Sequence, residues 1–168
     1  MDIALLIVRL VIGLGIFAHG AQKLFGWFGG YGLAGTGGFF EGLGFKPGKL
    51  FAAGAGLGEV GSGLLIFLGL GGALGPALLV MVMLVAIGAV HISKGFFAPA
   101  GWELNSAYIS SALMLAFTGF GAYSLDRALS LNVLADPRQA WIALAAAVVL
   151  ALLNLLARRP TASPQATQ

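Results

Sequence analysis

The sequence predicts an all-α protein, a polytopic bundle of membrane-spanning helices. Its 168 residues are 59% hydrophobic and only 9% charged, whereas a soluble domain carries about 25% charged residues. Five apolar segments stand out, and most approach the roughly 20 residues that span a bilayer. The 27 glycines lie among leucine, alanine, valine and phenylalanine rather than in polar linkers. Together these observations indicate a multi-pass membrane protein rather than a globular or disordered chain.

The predicted helices follow one another along the chain with recognisable breaks. The glycines at 71, 72 and 75 form a short turn, which makes the second and third helices antiparallel neighbours. Pro76 suits the first turn of the third helix, and Asp136-Pro137 precedes the fifth. The expected helices are Ile3–Phe25, Lys49–Leu70, Leu74–Ser93, Leu104–Phe120 and Gln139–Ala157.

The connection over residues 26–48 is long, glycine-rich and aromatic. A loop this apolar is expected to lie at the membrane interface or to fold back over the bundle, with Phe39–Leu43 as a short amphipathic turn. Two interpretations stay open, an interfacial anchor and a lid over a pocket at that end. Its aromatic residues are Trp27, Phe28, Tyr31, Phe39, Phe40 and Phe45.

The distribution of basic residues predicts an orientation. Cytoplasmic loops carry an excess of lysine and arginine, so a five-helix topology places the C-terminus in the cytoplasm and the N-terminus outside. Arg9, Arg127 and Arg138 fall on or nearest the outer side. The residues expected on the cytoplasmic side are Lys23, Lys46, Lys49, Lys94, Arg158 and Arg159.

Glu59 lies near the middle of the second predicted helix, within the glycine-rich stretch Gly56–Gly63. A carboxylate at that depth costs a few kcal/mol unless it is paired, neutralised or hydrated. Arg9 is the deepest opposite charge, and its long stem can shorten the difference in depth, so we expect an Arg9–Glu59 ion pair. Gly13 and Gly20 share the Arg9 face, and such small residues permit close helix approach. The pair can equally be a structural clamp.

A second set of polar residues is expected at one end of the bundle. His19 and Lys23 are four residues apart and share a helix face. His91 and Lys94 share a face near the end of the third helix, and Glu103 opens the fourth. Antiparallel connections bring all five to the same end. An alternative for the two lysines is that they only extend their charged groups toward the membrane surface.

The composition also excludes several classes of function. The chain has no cysteine, so thiolate catalysis, disulfide exchange and iron–sulfur ligation within it are excluded. No HxxxH or HxxE spacing supports a metal site, and no metal is predicted. Nothing in the context of the histidines favours heme. The formal charge of +3 is scattered, which argues against a nucleic-acid partner. A redox role would therefore need a bound cofactor or a partner protein.

Several motifs occur in an order that resembles the DoxX family of bacterial membrane proteins. The first contains Phe17-Ala18-His19-Gly20-Ala21-Gln22-Lys23, and the second is Gly-x-x-Glu-x-x-x-Gly around Glu59. The resemblance covers about residues 3–128. The segments that carry it are Arg9–Leu24, Gly56–Gly63, Val90–Phe97, Gly101–Asn105 and Gly119–Asp126.

The resemblance implies a domain organisation and a location. Residues 1–128 would form a four-helix membrane module with an interfacial aromatic loop at 26–48. Residues 129–159 would add a linker and a fifth transmembrane helix, and residues 160–168 a disordered tail. The fifth helix departs from the family pattern and would pack onto the module or mediate homo-oligomer contacts. The implied location is the bacterial inner (plasma) membrane.

The resemblance also implies a function, because the family is associated with thiosulfate:quinone oxidoreductase subunits and with a complex of superoxide dismutase and a sulfurtransferase. One hypothesis is a membrane subunit of a quinone-linked oxidoreductase system, in sulfur or oxidative-stress chemistry, with soluble redox enzymes as partners. The alternative is a non-catalytic anchor, assembly partner or small-molecule or ion conduit. Whether the chain is itself an enzyme stays open. The candidate catalytic and proton-relay residues are Glu59, His91 and Glu103. The candidate quinone-binding residues are His19, Lys23, Arg9 and Lys94.

Overall fold

A computed structural model describes residues 1–131 and 136–159. Within those ranges the chain forms helices and no strand, which confirms the all-α membrane helix bundle. The predicted disordered tail, residues 160–168, lies outside the described residues.

Seven α-helices make up the described parts of the chain. The helix Leu74–Ala86 continues through a π-turn, Ile87–His91, and a 3-10 turn, Ile92–Lys94. All five predicted segments are confirmed as helices to within a few residues. The helices are α1 Asp2–Phe25, α2 Gly32–Gly42, α3 Gly48–Leu68, α4 Leu74–Ala86, α5 Glu103–Thr118, α6 Leu125–Ala128 and α7 Pro137–Leu156.

The long helices have the length and composition to cross a membrane. Four spans satisfy both conditions: α1, α3, α4 with its continuation to Lys94, and α7. Helix α5 has 16 residues, or ~24 Å at 1.5 Å per residue. Apolar side chains on the outer face of α1 are largely exposed, including Ile3, Ile7, Val11 and Leu14. Their spacing of three to four residues places them on one face, which contacts lipid.

Successive long helices run in opposite directions, so the bundle has two distinct ends. One, here called the Asp2 end, contains the start of α1 and the turns between α3 and α4 and after α5. The other, the Phe25 end, contains the end of α1, all of α2, residues 92–102 and the end of α7. Helices α1, α3, α4 and α5 surround the core, and α7 packs on the outside of α4. The fifth predicted helix therefore packs onto the module.

Glycines set the spacing between α1 and α3, which share the most extensive helix contact among the described elements. A Cβ atom on Gly13 would lie 2.8 Å from the Gly63 carbonyl oxygen, and one on Gly20 would lie 2.7 Å from that of Gly56. Any side chain at these positions would force the helices apart. The predicted small-residue face is therefore confirmed.

Helix α2 is longer than the short turn that the sequence predicts. It spans 11 residues, Gly32–Gly42, and five of them are glycines. Each glycine disfavours a helix by about 1 kcal/mol relative to alanine. Packing against α3 outweighs this low helix propensity, because Thr36 and Gly37 are buried there. A Cβ atom on Gly37 would lie 3.1 Å from the Lys49 backbone nitrogen.

Arg9 closes the Asp2 end of the bundle. Its side chain is 2% exposed and donates four hydrogen bonds to backbone carbonyls. Two of the acceptors belong to the last turn of α3, whose final carbonyls have no partner within the helix. The acceptors and distances are Ile66 O at 3.0 Å, Phe67 O at 2.9 Å, Phe120 O at 3.0 Å and Tyr123 O at 2.9 Å.

The predicted Arg9–Glu59 ion pair is therefore wrong. Helical side chains lean toward the N-terminus of their own helix. Because α1 and α3 are antiparallel, Arg9 leans toward the Asp2 end and Glu59 leans toward the Phe25 end. Gly20 packs between the Gly56 carbonyl and the Val60 backbone N–H, so Glu59 is level with about residue 19 of α1, and Arg9 lies about ten residues, or ~15 Å, from that level. The two charges diverge across a gap that no arginine stem can close.

Replacing Arg9 with methionine should destabilise the fold. The variant leaves four carbonyls without their charged donor, so the free energy of unfolding should fall by about 3 kcal/mol or more. Thermal unfolding in detergent, read by the loss of monodisperse protein, checks the result. Arg127→Met is the matched control, because Arg127 lies at the same end and is exposed. If Glu59→Leu restored the stability lost in an Arg9→Leu variant, the two residues would have to be paired, contrary to this account.

Candidate functional site

A cavity of about 690 Å³ opens in the bundle at the Phe25 end. Ligand pockets commonly enclose about 300–1,000 Å³ and combine an apolar lining with a few polar groups. Most side chains that line this cavity are aliphatic or aromatic. The polar residues of the lining are His19, Lys23, Glu59, His91, Asn105, Tyr108 and Asn154.

The strongest interaction in the cavity is the ion pair between Lys23 and Glu59. The Lys23 Nζ lies 2.7 Å from Oε1 and 2.6 Å from Oε2 of the carboxylate. Glu59 is 4% exposed as a residue, whereas the Lys23 side chain is 27% exposed. A buried carboxylate is tolerated when an opposite charge and hydrogen bonds compensate for its lost hydration. The partner of Glu59 is thus Lys23 from the cavity rim.

The helix register explains this pairing. Lys23 lies about four residues, or ~6 Å along α1, from the level of Glu59. The Lys23 side chain leans back from the Phe25 end toward the membrane interior, and the Glu59 side chain leans outward from the interior toward that end. The two side chains therefore converge. The same directional rule separates Arg9 from Glu59.

His19 and Tyr108 lie on opposite helices beside this ion pair. Their rings meet edge-to-face with centroids 6.4 Å apart. His19 precedes Lys23 by one turn of α1, so both project into the cavity. A Cβ atom on Gly15 would lie 2.9 Å from the Tyr108 hydroxyl, so the absence of a side chain at Gly15 admits that hydroxyl. The phenol adds a group that can both donate and accept a hydrogen bond.

His91 lies in the π-turn that continues α4. Its Nδ1 is 2.7 Å from the Ala100 carbonyl oxygen. A carbonyl only accepts, so Nδ1 carries the hydrogen, and in the neutral ring Nε2 is left as an acceptor. This assignment follows from the hydrogen bond rather than from an observed proton. π-Turns often occur at functional sites.

The structure brings together four of the seven predicted site residues. His19, Lys23, Glu59 and His91 line one cavity. The expectation that both histidines, both lysines and Glu103 share the Phe25 end is also confirmed, although two of these five residues lie outside the cavity.

The three remaining predicted site residues do not line the cavity. Arg9 is at the Asp2 end, held by carbonyls. Glu103 accepts a hydrogen bond from the Ala98 N–H at 2.9 Å and so holds the loop before α5. Lys94 is exposed in the 3-10 turn. In the described ranges, no group of three or more His, Asp or Glu side chains is placed to hold a metal ion.

The aromatic connection contributes a lid to the cavity. The lid comprises residues Phe39–Phe45, from which Phe39, Phe40, Leu43 and Phe45 line the cavity. The Phe45 ring is fully buried between Phe40 and Phe51, at centroid distances of 5.6 and 5.1 Å. This part of residues 26–48 therefore borders the cavity.

Three cavity residues were not among the predicted site residues. Asn105 and Tyr108 lie one turn apart on α5, and Asn154 lies near the end of α7. The Asn105 amide donates to the Met83 sulfur at 3.4 Å. A polar side chain in an apolar helix indicates a functional site in a membrane protein, and that signal would have found all three.

The fold and the cavity define the class of protein: an integral membrane helix bundle with a pocket near one membrane surface. The walls of the pocket are largely apolar, and a few polar side chains face into it. The model of the DoxX family matches residues 4–92, more than half of the chain. The chain belongs to the DoxX family. His19, Lys23, Glu59 and His91 all lie within the matched residues. No curated protein and no solved structure matches the chain.

Removing one partner of the buried ion pair should destabilise the protein. Lys23→Met leaves the Glu59 carboxylate without its cation, so the free energy of unfolding should fall by about 3 kcal/mol. Lys46→Met is the control, because Lys46 is an exposed lysine at the same end. A double Lys23→Met/Glu59→Leu variant should recover most of the loss. Equal unfolding temperatures for Lys23→Met and Lys46→Met would contradict the pairing.

Proposed function

We propose that this protein is a membrane subunit of a quinone-linked oxidoreductase system in the bacterial inner membrane, and that the cavity at the Phe25 end takes a quinone headgroup. The observation that carries the proposal is the Lys23–Glu59 pair at the polar side of a cavity otherwise lined by apolar and aromatic side chains. The four-helix module over residues 1–128 would supply the site, and α7 would be an addition to it.

The donor set of the cavity fits a quinone. A quinone headgroup is a flat apolar ring with carbonyl oxygens that accept hydrogen bonds, and Lys23 and Tyr108 are both hydrogen-bond donors in the cavity lining. The aromatic lid supplies faces against which a flat ring can stack. A cavity of 690 Å³ also leaves room for the first part of an apolar tail.

The ionisable residues fit the proton chemistry of a quinone. A bound quinone supplies the electron-accepting chemistry, since its conversion to a quinol takes up two electrons and two protons. Glu59 would hold and release a proton at the ligand, and Lys23 would orient the carboxylate and compensate its charge. His19, one turn from Lys23, and His91 at the cavity mouth would exchange protons with the outside.

The electrons would come from a soluble redox enzyme that docks at the Phe25 end. The chain has no cysteine for a thiol couple or an iron–sulfur cluster. Most of the basic residues flank the Phe25 end, and this excess of positive charge favours an orientation with that end in the cytoplasm. The cavity would then face the compartment that holds both the soluble partner and the protons.

The alternative of a conduit across the bilayer is less well supported. At the Asp2 end Arg9 fills the interior, with its guanidinium 5.5 Å from the centre of the Phe120 ring. Ile16 and Ile66, toward the same end, are fully buried. A non-catalytic anchor that only holds a soluble partner is the remaining alternative, and an activity assay distinguishes it.

Glu59→Gln should abolish quinone reduction while the protein still inserts. Native membranes that contain the chain, mixed with the soluble fraction of the same cells, should reduce a short-tailed ubiquinone faster than membranes that lack it. In Glu59→Gln membranes the chain-dependent rate should fall by about 10²-fold, the scale of lost acid–base catalysis. Glu41→Gln is the control, since Glu41 is exposed at the same end.

Two outcomes would contradict the proposal. If membranes with and without the chain reduced quinone at the same rate, a non-catalytic anchor would describe the protein better. A Glu59→Gln variant with full activity would remove Glu59 from the proton chemistry. The Glu103→Gln variant is measured beside it. An equal loss of quinone-reduction rate in that variant would assign the proton relay to Glu103 and the loop before α5 as well as to Glu59.

A further inference from the structure

The C-terminal end of α7 reaches the cavity, although it lies outside the residues that match the family. Asn154 is part of the cavity lining. Its neighbour Leu155 packs against the π-turn, since a Cβ atom on Gly88 would lie 2.7 Å from a Leu155 methyl carbon. The last turn of α7 is therefore one wall of the site as well as an outer layer of the bundle.

Arg158 connects two borders of the cavity, the lid and the π-turn. Its Nε donates to the Leu43 carbonyl at 3.0 Å, and its Nη1 donates to the Gly88 carbonyl at 3.4 Å. The guanidinium carbon also lies 5.6 Å from the centre of the Phe45 ring. One side chain thus contacts the lid twice and the π-turn once.

The chemistry of this contact suits a positioning role. A guanidinium presents several donors in a rigid plane, so it can hold two carbonyls at a fixed separation. Hydrogen bonds from a charged donor are stronger than neutral ones. Arg159 makes a different contact, in which its backbone N–H donates to the Gly44 carbonyl at 2.8 Å. Arg158 therefore makes these contacts through its side chain, whereas Arg159 makes its contact through its backbone.

We infer that the end of α7 belongs to the ligand site: Arg158 positions the lid against the π-turn, and Asn154 contacts the ligand through its side-chain amide. The amide both donates and accepts, so it suits a ligand with carbonyl oxygens. The identification of that ligand as a quinone rests on the proposed function, whereas the positioning role of Arg158 does not.

The role of Arg158 can be tested without any ligand. The chain has no cysteine, so a single cysteine at Ala55, in the cavity lining, reports access to the cavity. With the full chain in its native membrane, Arg158→Gln should raise the rate of N-ethylmaleimide labelling at this cysteine roughly tenfold, the effect of losing a charge-assisted hydrogen bond. Arg159→Gln should leave the rate unchanged.

A second reporter separates lid opening from a general loosening of the fold. Ala112 is fully buried in the core, and a cysteine there should label slowly in the Arg158→Gln and Arg159→Gln chains alike. Equal labelling at the Ala55 position in the two arginine variants would overturn the positioning role. So would a rise at the Ala112 position as large as the rise at the Ala55 position.

The role of Asn154 is tested with a short-tailed ubiquinone as the probe. The probe should slow labelling of the cysteine at Ala55, and Asn154→Leu should remove that protection, measured in each variant as the ratio of the labelling rates with and without the probe. Full protection in Asn154→Leu would overturn the ligand contact. Absence of protection in the otherwise unaltered chain would overturn the proposed quinone site and the Asn154 contact with it, while the labelling rates would still decide the role of Arg158.

Discussion

The Lys23–Glu59 ion pair is the interaction on which the rest of this structure depends. A carboxylate with 4% exposure at membrane depth requires a compensating charge, and only one register of α1 against α3 supplies it. That register is the one in which Gly13 and Gly20 meet Gly63 and Gly56. Close glycine packing and charge pairing thus specify the same alignment of the two helices, and the cavity forms where the pair lies.

The two ends of the bundle divide structural and functional roles between them. At the Asp2 end, Arg9 satisfies the carbonyls at the end of α3, and Asp126 accepts from the N–H groups of Gly71 and Gly72 in the following turn. Buried polar groups there are paired with backbone, which closes the bundle. At the Phe25 end the polar groups are side chains that face a cavity. The asymmetry explains how one small membrane bundle combines a rigid base with a site open to a ligand.

The sequence predicts the helices well because long apolar segments and their glycine or proline breaks give strong signals. It predicts the wrong partner for Glu59, because depth along the helix favours Arg9, whereas the lean of helical side chains toward the N-terminus of their own helix favours Lys23. Helix α2 and the π-turn at His91 are harder, since local propensity opposes a helix with five glycines and packing decides the outcome. The contacts of Arg158 join parts of the chain that are far apart, so no local pattern could predict them.

The measurement that tests the central claim most directly is native mass spectrometry of the protein gently extracted from its own membrane. The account predicts an adduct with the mass of a quinone, retained by Lys46→Met and lost when the cavity residues Tyr108 and His19 are replaced with leucine. A protein that carries no small molecule but binds a soluble enzyme, with or without those two substitutions, would contradict it and identify the chain as an anchor.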